Sequence, residues 1–290
     1  MFDLTQRLAV AALALSAAAC TAASADNDTP LEAALASEIR AEDRARDVYR
    51  NPAETLAFFG VEPDMIIGEY SAGGGWYTRI LAPLVAENGR YVMIERDNDL
   101  YIADEERRAS AKASLAEFPG RVAEWTGLPA ESIAAFEIDE APEDAAGALD
   151  AVFIFRSMHG LWSREIADSA AADIYGLLKP GGVLGVVQHR AKADAPHAYV
   201  SGANGYLKQA QVVALFESQG FELVGDSEVN ANSKDPANWE GGVWTLPPVL
   251  RYEEENREEY LAIGESDRMT LLFRKPAAAV PDRPAEGRGS

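Results

Sequence analysis

Cysteine is almost missing from these 290 residues: Cys20 stands alone. The chain therefore holds no internal disulfide, and cysteine pairing says nothing about its redox compartment. Histidine is scarce too, so any imidazole chemistry rests on three residues, His159, His189 and His197. Positive charge is in short supply, with 26 basic residues against 47 acidic ones and a net charge of −21. That balance leaves no cationic surplus for a polyphosphate backbone and argues against nucleic acid as a partner. Long apolar runs are also lacking. The stretch Leu8 to Ala19 has 12 residues, short of the roughly 20 that a spanning helix needs. No internal repeat is present.

What remains is the composition of a globular protein, 48% hydrophobic and 9% aromatic, with one principal core expected. Residues 1–25 differ from the rest: Arg7, the apolar stretch, then small polar residues from Thr21. This is a secretory signal pattern, so the chain is expected to be exported, as a periplasmic or envelope-attached protein. Cys20 follows Ala17-Ala18-Ala19, a placement that resembles a bacterial lipoprotein cleavage site whose cysteine is acylated. Ala17 stands where leucine is usual. Ala23-Ser24-Ala25 offers ordinary signal peptidase a rival site, leaving Asp26 first. Membrane contact is expected only through a lipid on Cys20. The remainder divides into N-terminal helices over 26–60, one domain over 61–275, and a Pro-, Ala- and Gly-rich tail over 276–290, expected to be disordered.

The chain is organised around one turn. Met65 to Tyr70 reads as a strand that breaks into Gly73-Gly74-Gly75, after which Trp76 to Ala86 resumes as a helix. Glycine lets backbone approach a ligand closely and adopt positive φ, so three together at a strand's carboxyl end suggest a binding turn; the competing reading is a plain flexible turn. Tyr91 to Glu95 is a second strand, completing a right-handed βαβ unit of the nucleotide-binding kind. Glu95 lies 20 residues beyond Gly75. A carboxylate there can accept two adjacent ribose hydroxyls, or is simply a solvated charge at a strand end.

Alternation continues through the chain. Leu31–Asp47 is patterned as an amphipathic helix, and Asn51-Pro52-Ala53-Glu54 supplies an N-cap, a first-turn proline and a third-position acid for a helix to Phe59. Asn98–Phe118 reads as a charged helix ended by Pro119-Gly120. Ala134–Ile138 reads as a third strand, with Asp139 at its end. Asp150–Phe155 is a buried strand, Ser163 a cap for a helix to Leu178, Val183–Val187 a fifth strand. Leu207–Gln219, Phe221–Asp226 and Met269–Arg274 read as helix, strand and strand. Residues 227–264 form a long connection, and length without periodicity usually means a functional lid or a surface loop. Trp239 and Trp244 either close that lid or anchor the loop to the core.

This order gives an α/β, doubly wound sheet. On Glu69-Tyr70-Ser71-Ala72-Gly73-Gly74-Gly75, Glu95, and Leu178-Lys179-Pro180-Gly181-Gly182, residues 50–275 resemble a class I S-adenosylmethionine-dependent methyltransferase. The resemblance implies a mostly parallel seven-stranded Rossmann-like sheet with helices on both faces, S-adenosyl-L-methionine as cofactor, and a small-molecule acceptor. It also assigns Glu69 to the methionine amino group, the backbone of Gly73 and Gly75 to the cofactor's underside, and Glu95 to its ribose. Ser71, Gly74, Asp139, Phe155 and Arg156 are the further candidate cofactor contacts. Ser71 occupies the position where that family most often has its first glycine. More narrowly, Gly73-Gly74-Gly75-Trp76-Tyr77-Thr78, Phe155-Arg156-Ser157-Met158-His159 and Gly264-Glu265-Ser266-Asp267-Arg268-Met269 resemble a group of exported bacterial proteins described as predicted methyltransferases, whose substrate is undefined.

Apart from any resemblance, His159 and His189 follow strand ends, where open α/β sheets bind ligands. Either is a candidate general base, since imidazole titrates near neutrality; the competing reading for each is a structural histidine. No two histidines have the spacing usual in metal sites, so no metal is expected. Arg156 and Arg190 either receive an anionic substrate group or pair with nearby acids. The readings carried forward are a methyltransferase and a non-catalytic binding protein of the cell envelope on the same fold. A dinucleotide oxidoreductase is disfavoured because Ser71-x-Gly73-x-Gly75 is not Gly-x-Gly-x-x-Gly.

Overall fold

A computed structural model describes residues 29–252 and 255–277. The expected signal segment with Cys20, and the tail beyond residue 277, lie outside them.

Seven strands form one sheet: β1 (Ile66–Tyr70), β2 (Arg90–Glu95), β3 (Ala134–Glu137), β4 (Leu149–Phe155), β5 (Leu178–His189), β6 (Glu222–Ser227) and β7 (Arg268–Arg274). Their order is β3-β2-β1-β4-β5-β7-β6. Every pairing is parallel except those of β7, which runs antiparallel to β5 and to β6. The chain reverses its winding between β1 and β4, and that switch point is where a doubly wound sheet opens a crevice at the strands' carboxyl ends.

The central strands read as nearly continuous apolar runs because both sheet faces are covered. In β4, Val152 and Ile154 point into one core while Ala151, Phe153 and Phe155 point into the other, the alternation of a strand serving two layers. One layer is built by α1 (Pro30–Ala36), a single turn α2 (Asp47–Arg50), α3 (Pro52–Phe58), α4 (Thr78–Val85), the turn α5 (Asn98–Tyr101) and α6 (Glu105–Thr126). From these, Leu56, Ile80, Leu81, Phe118 and Val122 are buried together against the sheet. On the other face α7 (Met158–Ser163), α8 (Ala167–Leu177) and α9 (Gln209–Ser218) bury Leu161, Ile174, Val212 and Phe216. A last helix, α10 (Arg257–Ile263), precedes β7.

Several local expectations are corrected. Pro119 and Gly120 do not end a helix: α6 runs 22 residues through them and stops at Gly127, whose φ of 76° gives the left-handed cap. A proline inside a helix costs about 3 kcal/mol. Here Phe118 and Val122, both buried, flank it and hold the helix on the sheet. Residues 31–47 are not one helix, because α1 gives way after Ala36 to short 3-10 turns at Glu38–Arg40 and Arg44–Arg46. Asn51 makes no side-chain cap bond to α3; it sits at φ 39° and donates its side-chain amide to the Val229 carbonyl at 2.7 Å. Ser163 closes α7 instead of opening α8, its hydroxyl donating to the Gly160 carbonyl.

Candidate functional site

The switch point opens into a cavity of about 490 Å³, within the few-hundred to 1,000 Å³ range of small-molecule sites. Ser71, Gly73 and Gly74 line it from the β1–α4 turn; Arg156, Ser157 and His159 from the end of β4; His189 from the end of β5. Its remaining wall comes from Arg46 and Arg50 ahead of the sheet, Glu265 and Ser266 before β7, and the 243–249 loop.

The turn is strained where the sequence pattern suggested. Ser71 has φ 54° and Gly73 φ 59°. A residue with a Cβ pays about 1–2 kcal/mol to sit in the left-handed region, which accounts for glycine being the commoner choice at the Ser71 position. A Cβ added at Gly73 or Gly74 would meet nothing within 4 Å, so both leave open space on the cavity side. Gly75 differs. A Cβ there would lie 2.3 Å from the Trp125 ring at φ 75°, and Gly75 is not among the cavity's lining residues. Its missing side chain is explained by the indole of α6. Gly75→Ala is expected to lower stability by roughly 2 kcal/mol or more, from the φ penalty plus overpacking, whereas Gly74→Ala should stay within about 0.5 kcal/mol. Urea melts of the two variants check this, and equal effects would remove Trp125 as the reason.

Glu69, the penultimate residue of β1, is buried, its Oε2 accepting from Thr78 Oγ1 and Tyr91 Oη, both at 2.7 Å. Burial pushes its carboxyl up to about 7, with the Tyr91 and Thr78 bonds opposing. Glu95 ends β2 and faces an adjoining recess shared with Gly73, Asn98 and Tyr101. Its Oε1 accepts from Arg96 Nε at 2.8 Å and from the Arg96 backbone at 2.9 Å. Arg96 also donates to Ser71 Oγ and lies over the Tyr101 ring at 4.3 Å, tying the two strand ends together. Asp139 is exposed and lines neither space. Instead it joins Asp97 and Glu137 in a group of carboxylates whose oxygens lie within 4.8 Å of one another.

The structure brings His159 and His189 together, with ring centroids 5.9 Å apart. Burial, above all, lowers the His159 imidazole to about 4 and holds His189 well below its ordinary value. Both are therefore neutral at pH 7 and able to accept a proton. His189 Nδ1 and Ser266 Oγ are 2.6 Å apart, while His159 Nδ1 is buried with no partner. His197 is exposed and stands outside the cavity. The tryptophans divide the two roles open to them: Trp244 lines the cavity and meets the His159 ring edge-on at 5.8 Å, whereas Trp239 donates to Asp235 and packs on Tyr260.

Phe155 is buried with its ring stacked on Tyr77 at 3.5 Å. Arg156 adopts φ 60°, which turns the chain at the end of β4. Arg190, in contrast, pairs with Glu228 at 2.6 Å and Asp267 at 3.0 Å away from the cavity. Beside Arg156 lies a group that sequence reasoning missed. Glu265 is buried and accepts from Arg46 Nε at 2.7 Å, Arg50 Nε at 3.2 Å and Arg268 Nη2 at 2.6 Å. Burial alone would raise the Glu265 carboxyl, but Arg268, Arg50 and Arg46 outweigh it and the net shift is downward. The only sequence signal was the Glu265-Ser266-Asp267-Arg268 run, which carries no indication of its partners.

No protein-family model matches the sequence, and no curated protein matches it. Solved structures do resemble it. The 4+2 cyclase SpnF shows 16% identity over 82% of each chain, with a TM-score of 0.49. A SAM-dependent methyltransferase from Aquifex aeolicus shows 15% identity over 82% of this chain and 96% of its own, TM-score 0.46. Geranyl diphosphate methyltransferase, solved with GPP and sinefungin, shows 14% identity over 77% of each chain, TM-score 0.46.

Proposed function

We propose that the protein binds S-adenosyl-L-methionine across the β1–β2 end of the crevice and transfers its methyl group to an unidentified small-molecule acceptor. The observation that carries this reading is the open backbone at Gly73 and Gly74 between two strand-end carboxylates, Glu69 and Glu95. Backbone without side chains admits a flat, close-lying ligand. Glu69, poised near neutrality, ionises against the ligand's ammonium, and Glu95 accepts its ribose hydroxyls. Bound there, the cofactor supplies an electrophilic methyl on a sulfonium, and the electrons of the broken C–S bond remain on sulfur. The protein's work is alignment and deprotonation. Neutral His159 takes the acceptor's proton, with Trp244 excluding water above it.

Calorimetric titration with S-adenosylmethionine and its demethylated product tests the reading. Micromolar binding is expected, weakened about 10- to 100-fold in Glu95→Ala through loss of charge-assisted hydrogen bonds worth roughly 1.5–3 kcal/mol. No measurable wild-type binding at about millimolar ligand would sink it and leave the envelope binding protein in its place.

We further propose that the chain is exported and acylated at Cys20. The signal pattern of residues 1–25 and the cysteine's position after three alanines support this. Fatty-acid labelling should mark the wild type and not Cys20→Ser. An unlabelled mature protein beginning at Asp26 would mean simple secretion.

A further inference from the structure

The cavity floor carries charge of the opposite sign to the chain as a whole. Arg46, Arg50, Arg156 and Arg268 gather around Glu265, four guanidiniums and one carboxylate. Arg268 spends its donors on Glu265, Ser266 and the Tyr49 carbonyl. The others are less occupied. Arg50 is 1% exposed, yet its Nη1 has no hydrogen-bond partner. Among the described residues, Arg156 makes no ion pair and no side-chain hydrogen bond; its backbone N–H donates to Val187, and its Nε is buried and unpaired. Ser157 Oγ, on the β4–α7 turn, and His159 Nδ1, in the first turn of α7, are buried and unpaired too.

Buried polar groups are normally satisfied, and buried arginine is normally matched by acid. A concentration of unsatisfied donors in one cavity wall is what a preformed site for an oxyanion requires, since guanidinium matches the planar fork of a carboxylate or the edge of a phosphate. The arginines also disfavour one another. Burial first, then Arg156, lowers Arg50 to about 9; burial first, then Arg268, lowers Arg156 to about 10. Burial remains whatever binds there, but an anion seated between them offsets the repulsion between the arginines that adds to both shifts.

We propose that Arg50 and Arg156, with Arg46 beside them, form a subsite for an oxyanion of the methyl acceptor, a carboxylate or a phosphate group. The assignment to acceptor and not cofactor rests on the methyl-transfer reading above and on position. Glu95 lies on the β1–β2 side, in the adjoining recess and not in the arginines' cavity, whereas Arg156 follows β4 and Glu265 precedes β7 on the other side of the switch point. His159 and His189 lie on that same side, so an acceptor anchored by its anion presents its nucleophile to a neutral imidazole.

The experiment titrates the protein with inorganic phosphate and with malonate at low ionic strength, alone and with saturating S-adenosylhomocysteine. Saturable binding of one anion is expected, weakened at least about tenfold in Arg156→Gln and unchanged in the control Arg107→Gln, an exposed arginine on α6 that lines neither the cavity nor the Glu95 recess. Because the Arg156 guanidinium has no hydrogen-bond or ion-pair partner, and burial with repulsion from Arg268 outweighs its attraction to Glu265, Arg156→Gln should melt no lower than wild type, which separates lost binding from lost folding. Stronger phosphate binding identifies a phosphorylated acceptor, stronger malonate binding a carboxylic one. Absence of saturable anion binding overturns the proposal, as does an equal loss in the control. Displacement of the anion by S-adenosylhomocysteine also overturns it, since the arginines then serve the cofactor's own carboxylate. Anion binding without any binding of S-adenosylhomocysteine leaves the subsite standing and removes the methyl-transfer reading.

Discussion

Glu265→Ala is expected to lower the unfolding free energy by about 3–5 kcal/mol, the cost of leaving one side of a buried ion pair uncompensated. Three guanidiniums donate to this carboxylate, and two of them, on Arg50 and Arg268, are almost wholly buried. For a domain of this size each kcal/mol moves the melting temperature by roughly 2–4 °C, so a fall on the order of 10 °C should be seen in a thermal melt. Acid should weaken the same node. The Glu265 carboxyl is held below its ordinary value of 4.5 in the folded protein. Folded and unfolded chains are both ionised above that value, where the stabilisation is fully present. It is lost as pH falls from there through the lower folded value. A change of less than about 1 kcal/mol in Glu265→Ala would mean that the arginines are neutralised by something other than Glu265.

Turnover should respond most to His159→Ala. If His159 takes the acceptor's proton, its loss lowers methyl transfer by about 10² to 10⁴, the usual contribution of a general base. Stability should fall far less than in Glu265→Ala, because His159 carries no ion pair and its Nδ1 has no partner, which leaves only neutral contacts with Gln188, the Arg156 backbone and Trp244 to lose. The deficit should also be equal at about pH 6 and pH 8, both well above the imidazole's value of about 4. A large fall in melting temperature with unchanged activity per folded molecule would make His159 structural. A deficit that grows with pH would assign the proton transfer to another group.

Much of this protein was readable from local pattern. Apolar runs marked β1, β2 and β4, and the glycine turn announced the crevice between them, because a run of apolar residues and a positive φ are properties of a few consecutive residues. The acids at the ends of β1 and β2 followed from the same register. Local signals failed where packing outweighed them. Pro119 is a strong helix breaker, yet Phe118 and Val122 hold α6 together on the sheet. Gly75 looked like its two neighbours until Trp125, 50 positions later, proved to fill the space beside it.

Length, charge, the βαβ unit and the order of the elements were thus determined by the sequence by itself, since each depends on composition or on neighbours in the chain. The floor of the cavity was decided only by tertiary structure. Arg46 and Glu265, 219 residues apart, meet because the N-terminal helical segment closes over the sheet beside β7. Nothing in the spacing of Arg46, Arg50, Arg156 and Arg268 distinguishes them from exposed arginines such as Arg107. What sets them apart is burial around a single carboxylate, and burial is a property of the folded whole.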